Sequence, residues 1–292
     1  MLRRCLALAL IASAFPASAF AQKAPRYAYT SVDAPGATLT SAIDINNVGA
    51  MVGRFNDALG NSHGWLLAGG AFTSIDVPGM TTNAWGINDA GTIVGRCDDA
   101  AGGVHGVVFS GGTYTLIDAP GATATVARRV NNVGQIVGWY TDALGKDHGF
   151  LLVGGTFTSI DVPNATSTQC SGINDNGLIV GEYIDALQGK IHGFVLNTST
   201  GAFTYLNYPK AVFTRAYDIN RSGQVVGRYE TPFTVQANST SRGFVWSAGT
   251  YTPIDYPNAA YTSANGINDA GEIVGRRDDA AGRTHGFYAV KQ

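Results

Sequence analysis

At five places an aspartate precedes a histidine by six or seven residues: Asp57 and His63, Asp99 and His105, Asp142 and His148, Asp185 and His192, and Asp279 and His285. Carboxylate and imidazole at that spacing can hold a metal ion or exchange protons with a substrate. Recurrence argues against both, because a catalytic centre is local whereas a pair copied along the chain behaves as a brace for a turn. Neither a metal site nor a catalytic residue is therefore assigned. The stretch Gly60-Asn61-Ser62-His63-Gly64 matches the serine-hydrolase pattern Gly-x-Ser-x-Gly, which has meaning only between a strand and a helix. Its counterparts Gly102-Gly103-Val104-His105-Gly106 and Gly145-Lys146-Asp147-His148-Gly149 lack the serine, so Ser62 reads as an accident of a loop. Glycoside cleavage needs two carboxylates across a bond. The chain has only Glu182, Glu230 and Glu272, and the recurring Asp33, Asp76, Asp118, Asp161 and Asp255, with Asn207 in the remaining copy, read as structural acceptors.

Chemistry is expected where the copies differ. One variable set is Ile43, Trp85, Arg128, Ser171, Tyr217 and Asn265, and a second is Ser41, Asn83, Val126, Gln169, Arg215 and Ser263. A third position holds Arg54, Arg96, Trp139, Glu182, Arg228 and Arg276. In a ring these four arginines form an arc facing Trp139 and Glu182. Guanidinium groups suit carboxylate or sulfate, and Trp85, Trp139 and Tyr217 can pack on sugar or aromatic rings. The candidate ligand site is thus Arg54, Arg96, Trp139, Glu182, Arg228, Arg276, Trp85, Arg128 and Tyr217. The competing reading pairs the arginines with the recurring aspartates, because Glu182 replaces Arg in the same copy in which Asn207 replaces Asp.

The elements that must position these residues follow from a repeat. The core Ile-Asn-x-x-Gly, once Val-Asn-x-x-Gly, occurs six times at spacings of 42 to 48 residues, beginning at Ile45, Ile87, Val130, Ile173, Ile219 and Ile267. Each copy continues into a branched apolar pair with glycine, then His-Gly-aromatic or a variant, then a run such as Phe72-Thr73-Ser74-Ile75-Asp76-Val77-Pro78. Asn-Asp-x-Gly tetrads are hairpin turns, since Asx side chains bond their own backbone and glycine accepts positive φ. Proline ends the fourth strand because it has no amide hydrogen. Four strands in 40 to 50 residues is the pattern of a propeller blade. The last copy lacks its fourth strand, and an orphan fourth strand, Tyr29 to Gly36, precedes the first copy. The expectation is an all-β, six-bladed β-propeller, four strands per blade, closed by the N-terminal strand completing the last blade.

The unit Ile-Asn-x-x-Gly-x-Ile-Val-Gly followed by His-Gly-Phe resembles the bacterial extracellular repeats of the HAF family, named for a His-Ala-Phe triplet. The resemblance covers essentially the whole chain after its leader. Gly64, Gly106, Gly149, Gly193 and Gly286 stand at the central position of that triplet, and Arg242 replaces one His. The resemblance implies an exported protein and a repeat fold, with no defined activity.

Met1-Leu2-Arg3-Arg4, an apolar run from Cys5 to Phe15 and the stretch Ala17-Ser18-Ala19-Phe20-Ala21 read as a secretory signal peptide over residues 1–21, leaving one domain over 22–292. The expected location is secreted or periplasmic in a bacterium. Cys97 and Cys170, the remaining cysteines, read as buried free thiols rather than a disulfide framework. A net charge of -2 without a basic stripe argues against nucleic acid, and no further segment has the length of a membrane span. Expected partners are a glycan or a protein surface, with no cofactor, and the expected state is a monomer. The expected function is a non-catalytic binding or interaction module. The alternative is an extracellular polysaccharide lyase or hydrolase using Glu182 in the channel.

Overall fold

The structure, a computed structural model, describes residues 26–232 and 241–292. The leader read over residues 1–21 and Phe233, at the centre of the longer fifth-copy loop, lie outside the described residues. Those described form 24 strands and no helix.

Strand β1 (Tyr27–Val32) precedes the repeats. The first repeat supplies β2 (Leu39–Ile45), β3 (Met51–Asn56), β4 (Ser62–Ala68) and β5 (Ala71–Ile75), and the second β6 (Thr81–Ile87), β7 (Ile93–Asp98), β8 (Val104–Ser110) and β9 (Thr113–Ile117). The third supplies β10 (Ala124–Val130), β11 (Ile136–Thr141), β12 (Asp147–Val153) and β13 (Thr156–Ile160), and the fourth β14 (Ala165–Ile173), β15 (Leu178–Asp185), β16 (Ile191–Asn197) and β17 (Ala202–Leu206). The fifth supplies β18 (Phe213–Ile219), β19 (Val225–Glu230), β20 (Ser241–Ser247) and β21 (Thr250–Ile254), and the sixth β22 (Tyr261–Ile267), β23 (Ile273–Asp278) and β24 (Thr284–Lys291).

The arrangement is a β-propeller built from antiparallel meanders. Repeats one, four and five each form a four-stranded sheet, and β22, β23 and β24 form a fourth with β1. Repeats two and three share an eight-stranded sheet through one parallel bridge, Ala124↔Val104, between β10 and β8. Strand β1 runs antiparallel to β24 from Tyr27↔Lys291 to Val32↔Gly286, and Tyr29 packs on Tyr256 and Phe287 with ring centroids 5.2 and 5.8 Å away.

The core is layered between sheets. The residue after each His-Gly or Arg-Gly pair, namely Trp65, Val107, Phe150, Phe194, Phe244 or Phe287, is fully buried, and Val52, Val94, Val137, Val180, Val226 and Val274 fill the layer beside them. The recurring threonine has a specific task. Thr40, Thr82, Thr125, Thr168, Thr214 and Thr262 each accept, on Oγ1, the amide of the residue before the proline of the preceding fourth strand, from Ala34 to Tyr256. That amide has no strand partner, and leaving a buried donor unpaired costs ~1–3 kcal/mol.

The recurring asparagine links neighbouring repeats. Asn46 Nδ2 donates to the carbonyl of Asn88, Asn88 to Asn131, Asn131 to Asn174, Asn174 to Asn220, Asn220 to Asn268, and Asn268 back to Asn46. The relay returns to its starting residue, so each repeat is fastened to the next around the axis. The same side chains accept backbone amides inside their own turns, as Asn88 Oδ1 does from Thr92. In that turn Gly91 has a φ of 80°, the left-handed conformation that favours glycine.

Candidate functional site

Every first strand of a repeat carries a β-bulge against its partner. The register jumps between Ala42 and Asp44, Ala84 and Gly86, Ala127 and Arg129, Cys170 and Gly172, Ala216 and Asp218, and Ala264 and Gly266. The extra residues are Ile43, Trp85, Arg128, Ser171, Tyr217 and Asn265, the first variable set. A bulge re-aims its side chain, and all six line one cavity of about 260 Å³. The bulge also explains the invariant glycine of the second strand: a Cβ on Gly138 would lie 1.9 Å from the carbonyl oxygen of Val126.

The other two variable sets face each other across the ladder, as in Ser41↔Arg54, Val126↔Trp139, Gln169↔Glu182, Arg215↔Arg228 and Ser263↔Arg276. Of the predicted residues, Arg54, Trp85, Arg128, Trp139, Glu182, Tyr217 and Arg276 line the cavity, together with Arg215, Gln169 and Tyr261. Arg96 and Arg228 are outside this lining. The guanidinium of Arg96 forks onto Asp98 at 2.6 and 3.0 Å, and Arg228 donates to Ser241 Oγ at 3.2 Å with its guanidinium 4.9 Å from the Phe213 ring centroid. The expected arc of four equivalent arginines is therefore divided.

The charges within the cavity are unequal. Glu182 is buried and accepts Arg215 Nη1 at 2.7 Å; burial raises its pKa, opposed by Arg215 and Arg128. Arg276 is held by its own-strand Asp278, with Nη2 3.1 Å from Oδ2. Arg128 lies 4.2 Å from the Trp85 centroid and 5.6 Å from that of Trp139, and burial together with Arg129 brings its pKa down to about 10. Among the described residues neither Arg128 nor Arg54 forms an ion pair; burial and the neighbouring Arg276 lower the pKa of Arg54. Arg128 Nε and Trp85 Nε1 are buried without a hydrogen-bond partner among these residues, which marks a wall not satisfied by the protein itself.

Arg129 was not singled out by the sequence reading. It is buried and bridges the interior: Nη1 donates to the carbonyls of Trp85 and Arg128, Nη2 to those of Ile43 and Asn265 at 3.0 and 2.7 Å, and Nε lies 3.2 Å from Asp218 and 3.5 Å from Asp44. It thus joins the bulge carbonyls behind the cavity wall to two buried carboxylates. Burial and the nearby Asp218 raise Asp44 to about 7 against the pull of Arg129. Its signal in the sequence was the alternation of Asp44, Gly86, Arg129, Gly172, Asp218 and Gly266.

The recurring Asp and His residues form a separate outer constellation. His63 lies between Asp76, 3.0 Å from Nδ1, and Asp57, 3.5 Å from Nε2, and His105, His148 and His285 repeat this with Asp118 and Asp99, Asp161 and Asp142, and Asp33 and Asp279. The loop aspartates also accept backbone amides of their own turns, as Asp57 does from Leu59 and Asn61, and these bonds with the Asn61 side chain hold Asp57 at about 2. Arg242, replacing one His, sits 3.6 Å from Asp255. The fourth-strand aspartates thus take histidine or Arg242, not the four arginines, and Glu182 balances Arg215 rather than Asn207. Ser62 Oγ donates to Asn83 Oδ1 at 3.3 Å, and Cys97 and Cys170 are buried free thiols.

Residues 153–253 match a family described as a protein of unknown function (DUF3466). No curated protein matches the chain. Among solved structures, the Aleuria aurantia lectin in complex with Fucalpha1-6GlcNAc is similar at 9% identity and a TM-score of 0.53, covering 87% of this chain and 94% of the lectin. TolB from Acinetobacter baumannii gives 10% identity, a TM-score of 0.56, and coverage of 84% and 64%. AofleA from Arthrobotrys oligospora gives 13%, 0.51, and coverage of 92% and 84%. At these identities the likeness is one of fold. Among the described residues no helix is long and apolar enough to cross a membrane.

Proposed function

We propose that the chain is an exported, non-catalytic binding protein: a six-bladed ring closed by β1, whose axial cavity takes a small anionic sugar or a comparable carboxylate. The eight-stranded sheet counts as two blades in this reading, which the pairing of β1 with β24 and the returning asparagine relay both support. Export rests on the leader pattern and the resemblance to HAF repeats.

One observation carries the ligand class. Four arginines line the cavity against a single carboxylate, Glu182, and two of them, Arg54 and Arg128, lack an acid partner among the described residues. Positive charge held in a walled space favours an anion, and Trp139, Tyr217 and Tyr261 offer aromatic surface beside it. The cavity lies below the usual drug-sized range of ~300–1,000 Å³, which fits a single ring better than a long chain. Hydrolysis by paired acids is not favoured, because Glu182 is the lone carboxylate of the lining and is tied to Arg215.

Calorimetry with glucuronate and with glucose tests this function. Saturable binding of glucuronate, weakened at least ~10-fold by Arg54→Ala as one charge-assisted contact is lost, is the expected outcome. Equal affinity for glucose, or no saturable binding of any acidic sugar, contradicts it.

A further inference from the structure

A second cavity, of about 300 Å³, lies between the fourth and fifth repeats, and its lining includes Lys190, His192, Asn207 and Lys210. It departs from its neighbours in charge. In the third repeat, the equivalent lysine and histidine, Lys146 and His148, both reach Asp161, at 3.8 and 2.8 Å. In the fourth repeat the acid is replaced by neutral Asn207, whose Oδ1 bonds His192 Nδ1, while His192 Nε2 keeps the loop carboxylate Asp185 at 3.0 Å. Lys190 thereby loses its carboxylate. A further cation arrives at Lys210, at a turn position that is Gly or Asn in every other copy, and it adopts a φ of 64°. Left-handed backbone is unfavourable for a lysine, and such strain collects at functional positions. Relative to the third repeat, the lining has gained one positive charge, Lys210 for Asn164, and lost two negative ones, Asn207 for Asp161 and Ile191 for Asp147. Among the described residues neither lysine forms an ion pair.

We infer that this cleft is a second binding site, independent of the axial cavity, and that its ligand is a small organic acid whose carboxylate lies beside Asn207 and gives Lys190 the negative charge that Asp161 gives Lys146. Ile191, Tyr208, Pro209 and Phe213 are also in the lining and provide apolar surface for the body of the acid. Two lysines on the lining of one cleft can each give an anion a charge-assisted contact.

Benzoate is the probe, and isotope-labelled dimethyl-lysine resonances of the full chain are the readout, since dimethylation keeps the charge. Lys190 and Lys210 shift saturably with benzoate, Lys146 stays still because Asp161 already occupies its site, and neutral benzamide moves none of them. Asn207→Asp restores the acid present in the other repeats, so folding is retained, and it weakens benzoate at least ~10-fold. Arg54→Ala leaves the affinity unchanged, which separates this site from the axial one. Parallel shifts at Lys146, or undiminished binding to the Asn207→Asp variant, overturn the inference.

Discussion

Arg129→Met removes the one cation placed between Asp44 and Asp218, two buried carboxylates. Breaking a buried pair by deleting one partner costs ~3–5 kcal/mol, and the carbonyls of Trp85, Arg128, Ile43 and Asn265 lose a donor as well. At ~2–4 °C per kcal/mol for a chain of this size, the melting temperature should drop by on the order of 10 °C. The effect carries a pH signature. Asp44 titrates near 7 in the folded protein against an ordinary 3.8. The native state therefore binds the extra proton between those values, so this group's contribution is full below about pH 4 and is lost as pH rises through 7. Without Arg129 the opposing pull disappears and the loss grows. The variant should be less impaired at about pH 5 than at about pH 8. Adding Asp44→Asn and Asp218→Asn removes the stranded charge and should restore much of the stability. Scanning calorimetry at both pH values reads all three proteins. A single variant that melts like the parent, or a deficit independent of pH, refutes the electrostatic reasoning.

Asn268→Ala opens the relay at its return step to Asn46 and strips an acceptor from Glu272 N; urea unfolding should register a loss of ~1–3 kcal/mol from unpaired buried groups. Gly138→Ala drives a Cβ into the carbonyl of Val126 at the third-repeat bulge, and the same assay should show at least ~1–3 kcal/mol of overpacking, whereas an unchanged midpoint would mean the bulge relaxes freely. Deleting the segment through Val32 leaves β24 paired only with β23 and removes Tyr29 from Tyr256 and Phe287; a cooperative melt at the parent temperature would defeat the proposed closure.

Strand order was legible because its determinants are local: a branched apolar pair with glycine, Asn-Asp-x-Gly turns and a proline after each fourth strand. The pairing of β1 with β24 could be anticipated because a strand was missing at one end and in excess at the other. The cavity lining was legible for a different reason. Trp85, Arg128 and Tyr217 stand out as variable residues in a strand whose threonine recurs at every copy, and the bulge that turns them inward recurs as well. Partners were not legible. Arg96 and Arg276 bond an aspartate two residues along their own strand, and Glu182 takes Arg215 from the next repeat; both depend on side-chain reach rather than on repeat position. Arg129 escaped notice because its two acids lie 85 and 89 residues away in sequence and meet it only inside the assembled propeller.

The most direct measurement on the central functional claim is a titration of glucuronate followed through the four tryptophan indole N–H resonances. The account predicts saturable movement of Trp85 and Trp139, which line the axial cavity, while Trp65, buried in the first-repeat core, stays in place. Saturable binding that leaves Trp85 and Trp139 unmoved would contradict it.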